Sequence, residues 1–288
     1  MAARFRTYLE LTKPRIVLLL LFTTVTAMVI AAEGIPRLRV LLPTIIGGIL
    51  AASGSSAINQ YIDREMDSKM ARTARRPIPS GRVSPRNVLN FGVTLVLLSV
   101  VVLGFWVNWL AALLALGGAV YYVVLYTIIL KRNTATNIII GGGAGAMPAL
   151  VGWAAVTNNL SFEAFLLFGI IFYWTPPHSW ALALLVNSDY ARANVPMMPV
   201  AHGEQTTRRQ ILLYSILLVI LTLVPGAANM LGLVYMVAAL ILGAGLIRMS
   251  LLLIKIADGA TAKRMYKYTT TYLAFLFLAM IIDQIVAF

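Results

Sequence analysis

The chain has 288 residues, of which 60% are hydrophobic and 11% charged, with a mean hydropathy of +0.86. Soluble domains carry about 25% charged residues, so this composition excludes an ordinary water-soluble enzyme and predicts a polytopic membrane protein. The absence of cysteine excludes disulfide scaffolds, thiol nucleophiles and Cys-ligated metal centres, and the net charge of +13 reads as a membrane-topology signal, with no nucleic-acid partner expected.

The amino-terminal run MAARFRTYLELTKPR is basic and leads into an apolar stretch. Ala31 and Ala32 could pass for a cleavage site, but further spans follow, so a retained first helix is expected rather than a secretory signal. Charge-free windows then cover 16–32, 40–62, 87–130, 133–162, 164–186, 210–247 and 268–282. Built as one helix, the longest would be about twice the hydrocarbon thickness. A fold-back is therefore predicted at Asn108 and Trp109, and another at Pro225, Gly226 and Asn229 in the 210–247 window. The result is an all-α fold of nine transmembrane helices in a single domain over residues 1–288.

Assigning the loops alternately to two sides puts every Lys and Arg on the side of the amino terminus except Arg37 and Arg39. The positive-inside rule makes that side cytoplasmic. The protein is expected in the cell (inner) membrane, with its carboxyl terminus on the opposite side. Two cytoplasmic loops resemble each other: 61–86 and 187–209 each begin with acids, then show a proline pair and a glycine, Pro77, Pro79 and Gly81 in the first and Pro196, Pro199 and Gly203 in the second. A duplicated four-helix unit over 14–130 and 137–254, with a ninth helix at 268–288, would explain the parallel. Repeat interfaces commonly carry the substrate site.

Asn59, Asp63 and Asp67 lie at i, i+4 and i+8 where the second span leaves the membrane. That spacing turns only about 40° per step on a helix, so three oxygen-bearing side chains form one stripe. Mg²⁺ wants such hard ligands and typically takes one or two carboxylates plus substrate phosphates. The bland alternative is a set of solvated acids ending a helix, but three of the chain's 10 acids crowd into five positions here. Downstream, Lys69, Arg72, Arg75, Arg76 and Arg82 form a basic cluster; arginine forks match phosphate oxygens, although the positive-inside rule alone would place cations in this loop. Asp189 opens the second loop with Asn187 and Asn194 nearby and no second carboxylate.

His178 follows Pro176 and Pro177 in TPPHSW. Prolines free helix carbonyls that need partners in a membrane, so the imidazole reads first as a cap for one of them and second as a ligand to a metal or haem iron. His202 reads as a solvated loop residue. Gly141, Gly142, Gly143 and Gly145 form a small-residue face for helix packing, and without a strand or P-loop they do not read as a nucleotide site.

Together, LTKPRI, NQYIDREMDSKMARTARRPIPSGR, YTIILKRNTATNIIIGGGAGAMPALVGWAA, YWTPPHSWALAL and DYARANVPMMPVAHG resemble the UbiA superfamily of intramembrane prenyltransferases, and within it the members that farnesylate protohaem, from about residue 11 to 210. The resemblance implies a nine-helix bundle with a cavity open to the cytoplasmic side and Mg²⁺ held by Asn59, Asp63, Asp67 and Asp189. Lys13, Arg72, Arg76 and Lys131 match basic motif positions and, with Lys69 and Arg75, are expected to contact the diphosphate of farnesyl diphosphate. The acceptor implied is a vinyl group of haem b, a substrate rather than a cofactor, with water supplying a hydroxyl to give haem O for terminal oxidases. His178, His202 and Trp180 become expected haem contacts, and Trp180 or Tyr173 is expected to shield an allylic cation. Haem A synthase or terminal-oxidase assembly are the implied partners besides the lipid bilayer. Many relatives carry two acids in the second motif where this chain has one. The competing readings are a UbiA-type enzyme acting on an aromatic quinone precursor or chlorophyll-like ring, and a non-catalytic haem transporter or assembly factor.

Overall fold

The computed structural model describes residues 2–286 and is helical throughout its regular structure; residue 1 and residues 287–288, the ends of the expected domain and last helix, lie outside the described residues. The helices are α1 (Ala2–Thr12), α2 (Pro14–Ala31), α3 (Leu38–Ile62), α4 (Arg64–Lys69), α5 (Pro85–Trp106) and α6 (Trp109–Val120). A π-helical segment, Tyr121–Leu130, continues α6 into α7 (Lys131–Asn133). Then follow α8 (Asn137–Thr157), α9 (Phe162–Leu185), α10 (Asn187–Arg192), α11 (Met198–His202), α12 (Glu204–Ala227), α13 (Leu233–Ile256) and α14 (Gly259–Val286).

Eight helical rods, counting Trp109–Asn133 as one, are long and apolar enough to cross a membrane. The expected sixth span, α9, runs for 24 residues but is not among them, because Tyr173 through Ser179 with its two prolines and histidine dilutes its apolar character. The short α4, α10 and α11 and the amino-terminal α1 were not foreseen as helices. The fold-back at Asn108 is as expected: its Oδ1 accepts from the Ala111 amide at 2.8 Å, capping α6, while its Nδ2 donates to the Ala154 carbonyl at 2.8 Å and ties the turn to α8. In the second fold-back Pro225 lies inside α12, and the turn falls at 228–232 with Asn229 in the left-handed region. Proline lacks only its own N–H, and the helix survives to Ala227 before Asn229 reverses the chain.

Large apolar side chains such as Leu18, Leu98, Ile220 and Ile241 point outward, while Thr24, Thr26, Thr44, Ser55 and Ser215 are buried. This inversion suits a bundle in lipid, where close packing rather than water exclusion joins helices. Each of those five hydroxyls donates to the carbonyl four residues earlier, so these five donors are satisfied within their own helices. Helices α2, α8 and α9 are central: α2 packs on α3, α8 and α14, and α9 on α8, α12 and α14.

Small residues set the spacings. A methyl on Gly54 would lie 2.6 Å from the Gly92 carbonyl of α5, and one on Gly152 would lie 2.2 Å from the Thr24 carbonyl of α2. Three of the four glycines expected to pack on α8 do so, each with a specific partner, and the fourth lines an apolar cavity. Gly141 and Gly143 receive the rings of Tyr126 and Tyr121, Gly142 receives Thr175, and Gly145 faces open space. Gly152→Ala is therefore expected to destabilise the bundle by about 1–3 kcal/mol through overpacking. Gly145→Ala should be neutral or stabilising by up to about 1 kcal/mol from helix propensity. Thermal unfolding of the two variants in the same detergent checks the contrast, and equal effects would contradict it.

Candidate active site

The site forms where α3 ends. Asp63 closes the last turn of α3 and Asp67 sits in the first turn of α4; the Asp67 amide donates to the Asp63 carbonyl at 2.7 Å, so the helical path is nearly unbroken. Asn59, Asp63 and Asp67 are all buried, Asp63 with 0% exposure. The Asn59 Nδ2 donates to Asp63 Oδ2 at 2.9 Å and to Thr127 Oγ1 at 3.1 Å, and its Oδ1 accepts from Lys13 Nζ at 3.3 Å. Lys131 Nζ reaches Asp63 Oδ2 at 2.5 Å, Arg132 stands 3.6 Å from Asp63 Oδ1, and Arg76 donates to Asp67 Oδ2 at 2.7 Å.

Lys13 occupies a strained position between α1 and α2. Its φ is 51°, left-handed and directly before a proline, a conformation costing about 1–2 kcal/mol for a residue with a Cβ. The strain turns its ammonium towards Asn59. Burial, reinforced by Arg76 and Lys131, lowers the ammonium pKa to about 7.

The second loop closes on the first. The Arg72 amide donates to Asp189 Oδ2 at 3.4 Å, and Asp189 also pairs with Arg192. This contact brings together residues 117 positions apart. Not every predicted residue joins the site. Lys13, Arg76 and Lys131 face the acids, and Arg72, though exposed, hydrogen-bonds Tyr190 beside them, whereas Lys69 and Arg75 have exposed side chains directed elsewhere. The Arg75 carbonyl serves Arg82, which is itself committed to Glu10 by two hydrogen bonds of 2.7 and 3.0 Å.

Beside the acids lies an apolar cavity of about 330 Å³, walled by α2, α3, α6, the π-helical segment, α8 and α9, with Lys13 among its lining residues. Tyr122, Tyr126 and Trp174 supply its aromatic faces. The two tyrosines stack at 5.7 Å with planes 16° apart. Residues of the π-helical segment were missed in the sequence, since a change from i−4 to i−5 bonding leaves no composition signal. Thr127 Oγ1 donates to the carbonyl of Tyr122, five residues back, at 2.8 Å while accepting from Asn59.

The aromatic expectations need correction. Trp180 is fully buried, edge-on to Tyr214 at 5.3 Å, and Tyr173 packs on Phe172 and Tyr214; neither lines the cavity. One face of α9 carries Thr175 and Ser179 to the cavity, and the opposite turn carries these rings to α12. His178 caps no freed carbonyl of α9. It reaches across to α14, where its Nδ1 lies 2.9 Å from Thr269 Oγ1. His202 is exposed at the end of α11.

Among the described residues, no cluster of three or more His, Cys, Asp or Glu is close enough to hold a metal by protein side chains alone. Yet Asp63 Oδ1 is buried with no hydrogen-bond partner and only the Arg132 guanidinium 3.6 Å away, an oxygen with lone pairs that a ligand could take. Together with Asn59, Asp67 and Asp189 the donor set fits a hard cation that takes its remaining ligands from phosphate.

A helical membrane bundle thus sets buried acids, countered by lysine and arginine, close to an apolar cavity that Lys13 helps to line. The chain belongs to the UbiA prenyltransferase family, whose model matches residues 20–281. It is 51% identical to the protoheme IX farnesyltransferase of Roseiflexus sp. (strain RS-1), over 97% of this chain and 52% of that protein. It is 48% identical to the protein of that name from Gloeobacter violaceus (strain ATCC 29082 / PCC 7421), over 100% of this chain and 95% of that one. The chain spans about half the length of several curated relatives it matches, the Roseiflexus protein among them. Among solved structures, a digeranylgeranylglyceryl phosphate synthase in membranes aligns with a TM-score of 0.83 at 20% identity, covering 99% of this chain and 100% of that one. A UbiA homolog from Archaeoglobus fulgidus bound to GPP and Mg²⁺ aligns with 0.66 at 15% identity, covering 96% and 99%. Both share the fold.

Removing Lys131 takes the closest countercharge from a fully buried carboxylate. Lys131→Met is expected to cost about 3–5 kcal/mol, and adding Asp63→Asn should recover most of that stability. Chemical denaturation of the single and double variants tests the coupling; additive losses would refute it.

Proposed function

We propose that the chain transfers a farnesyl group from farnesyl diphosphate to a vinyl group of haem b in a Mg²⁺-dependent reaction, releasing diphosphate and giving haem O. The observation that carries this reading is the buried Asp63, one of whose oxygens makes no hydrogen bond, set among Lys13, Arg76, Lys131 and Arg132 beside an apolar cavity of about 330 Å³. The names of the relatives and the GPP and Mg²⁺ of the Archaeoglobus homolog support it.

Asn59, Asp63, Asp67 and Asp189 would hold Mg²⁺. When bound, the ion supplies positive charge that stabilises the diphosphate as the C–O bond breaks. Arg76 and Lys131 turn from the carboxylates, and Lys13 from the Asn59 amide oxygen, to the diphosphate oxygens and neutralise charge as it develops there. The farnesyl chain lies in the apolar cavity, which keeps water from the allylic cation. Tyr122, Tyr126 and Trp174 offer their ring faces to that cation, in place of Trp180 and Tyr173. Diphosphate leaves with the electron pair of the C–O bond, and the vinyl π pair forms the new C–C bond. Water closes the resulting cation and loses a proton. On the haem side, His178 is the contact at α9 and α14, in preference to the exposed His202. The active site faces the cytoplasm.

Purified protein given farnesyl diphosphate, Mg²⁺ and haem b should form haem O, detectable by chromatography and mass. Chelation should stop turnover and added Mg²⁺ restore it. Asp63→Asn should lower kcat at least about 100-fold without loss of helical content. Product formed only with an aromatic-acid acceptor, or full activity in Asp63→Asn, would overturn the proposal.

A further inference from the structure

We infer that Thr269 is a positioning residue that locks His178 in the Nδ1–H tautomer and presents its Nε2 lone pair, edge-on, to the iron of the acceptor haem. The second half of this inference rests on the function proposed above; the first half does not.

The argument begins with one hydroxyl. Thr269 is fully buried on α14, and its Oγ1 donates to the Tyr266 carbonyl one turn earlier at 2.8 Å. A hydroxyl has a single proton. With that proton on the Tyr266 carbonyl, Oγ1 has only lone pairs left for the His178 Nδ1 at 2.9 Å. In the inferred network, where Thr270 Oγ1 also approaches the Tyr266 carbonyl at 3.1 Å, the ring nitrogen is therefore the donor. Neutral imidazole carries one N–H, so Nε2 is left as a bare acceptor. No partner for Nε2 exists among the described residues.

Stacking fixes how that atom is offered. The imidazole is sandwiched by Trp174 at 4.3 Å and 19° and by Tyr266 at 4.6 Å and 29°, which covers both faces and leaves the edge. Thr269 holds the sandwich as well, because its carbonyl accepts from Trp174 Nε1 at 2.7 Å. One residue thus sets the tautomer of His178 and anchors the ring stacked on it. Iron-binding histidines need this arrangement: a hydrogen bond on one ring nitrogen fixes the tautomer and raises the basicity of the other. Trp174 also lines the prenyl cavity, so the same clamp places the presented nitrogen next to the farnesyl site.

The chain has two histidines, so protein carrying ¹⁵N-labelled histidine gives two ring systems, assigned with His202→Ala. At pH 8 the His178 Nδ1 should show the protonated, pyrrole-type shift and Nε2 the pyridine-type shift. Thr269→Val should reverse or average the two, and Thr269→Ser should restore them. In a parallel haem b titration, the Soret change lost in His178→Ala should need at least tenfold more haem in Thr269→Val and return in Thr269→Ser, while prenyl diphosphate affinity stays unchanged. A pyridine-type Nδ1 in the parent protein, or an unaltered pattern in Thr269→Val, overturns the positioning role. A haem spectrum unaltered in His178→Ala overturns the haem contact instead, whatever the tautomer.

Discussion

Burial of the Asp63 carboxylate at the end of α3 is the constraint around which the site is arranged. A carboxylate with 0% exposure in an apolar bundle is affordable only when paired and hydrogen-bonded. Lys131 and Asn59 provide both, and Lys131 lies beyond the π-helical segment. The ion pair therefore joins α3 to that segment and fixes one wall of the cavity. Thr127 strengthens the joint, bonded to Asn59 on one side and to the Tyr122 carbonyl on the other. Single-turn π irregularities recur at functional sites because they re-aim side chains that a regular helix would leave elsewhere. Here a longer π stretch presents Tyr122, Tyr126 and Lys131 together.

The pairing of acids with bases also describes how the site waits for its ligand. Asp63 is countered by Lys131, Asp67 by Arg76 and Asp189 by Arg192. A ligand bringing only negative charge would have to strip these cations from buried acids. In the proposed reaction a metal–diphosphate pair would exchange both sets at once, the cation taking the carboxylates and the phosphates taking the lysines and arginine. Such an exchange would favour joint binding of anion and divalent ion, and the apolar cavity nearby would suit a hydrocarbon tail.

Glycines in α8 connect this chemistry to the packing. Their absent side chains leave room for the rings of Tyr121 and Tyr126, and Tyr121 secures its ring by donating to the Ile140 carbonyl at 2.6 Å. The small-residue face therefore supports the aromatic wall of the cavity as well as the close approach of helices. On the far side of α9, Trp180 and Tyr173 fill the core against Tyr214. The two faces of one helix divide the labour between site and core.

Much of this was legible from residues alone. The apolar windows, the fold-back at Asn108 and the stripe of Asn59, Asp63 and Asp67 follow from period and charge, which are local properties of a chain in lipid. The closure of Asp189 on the Arg72 amide was not, because it depends on a contact across 117 positions. Nor was the sorting of the cations: Lys13, Arg76 and Lys131 turn inward while Lys69 and Arg75 do not, a choice made by which acids they meet. A helical pattern also cannot announce that Trp180 belongs to the core or that His178 answers to Thr269, since their helix has no single apolar face that would tell its inner side from its outer one. Sequence determines which groups are expensive to bury in a membrane; tertiary structure decides which partner makes each burial tolerable, because that partner comes from another helix.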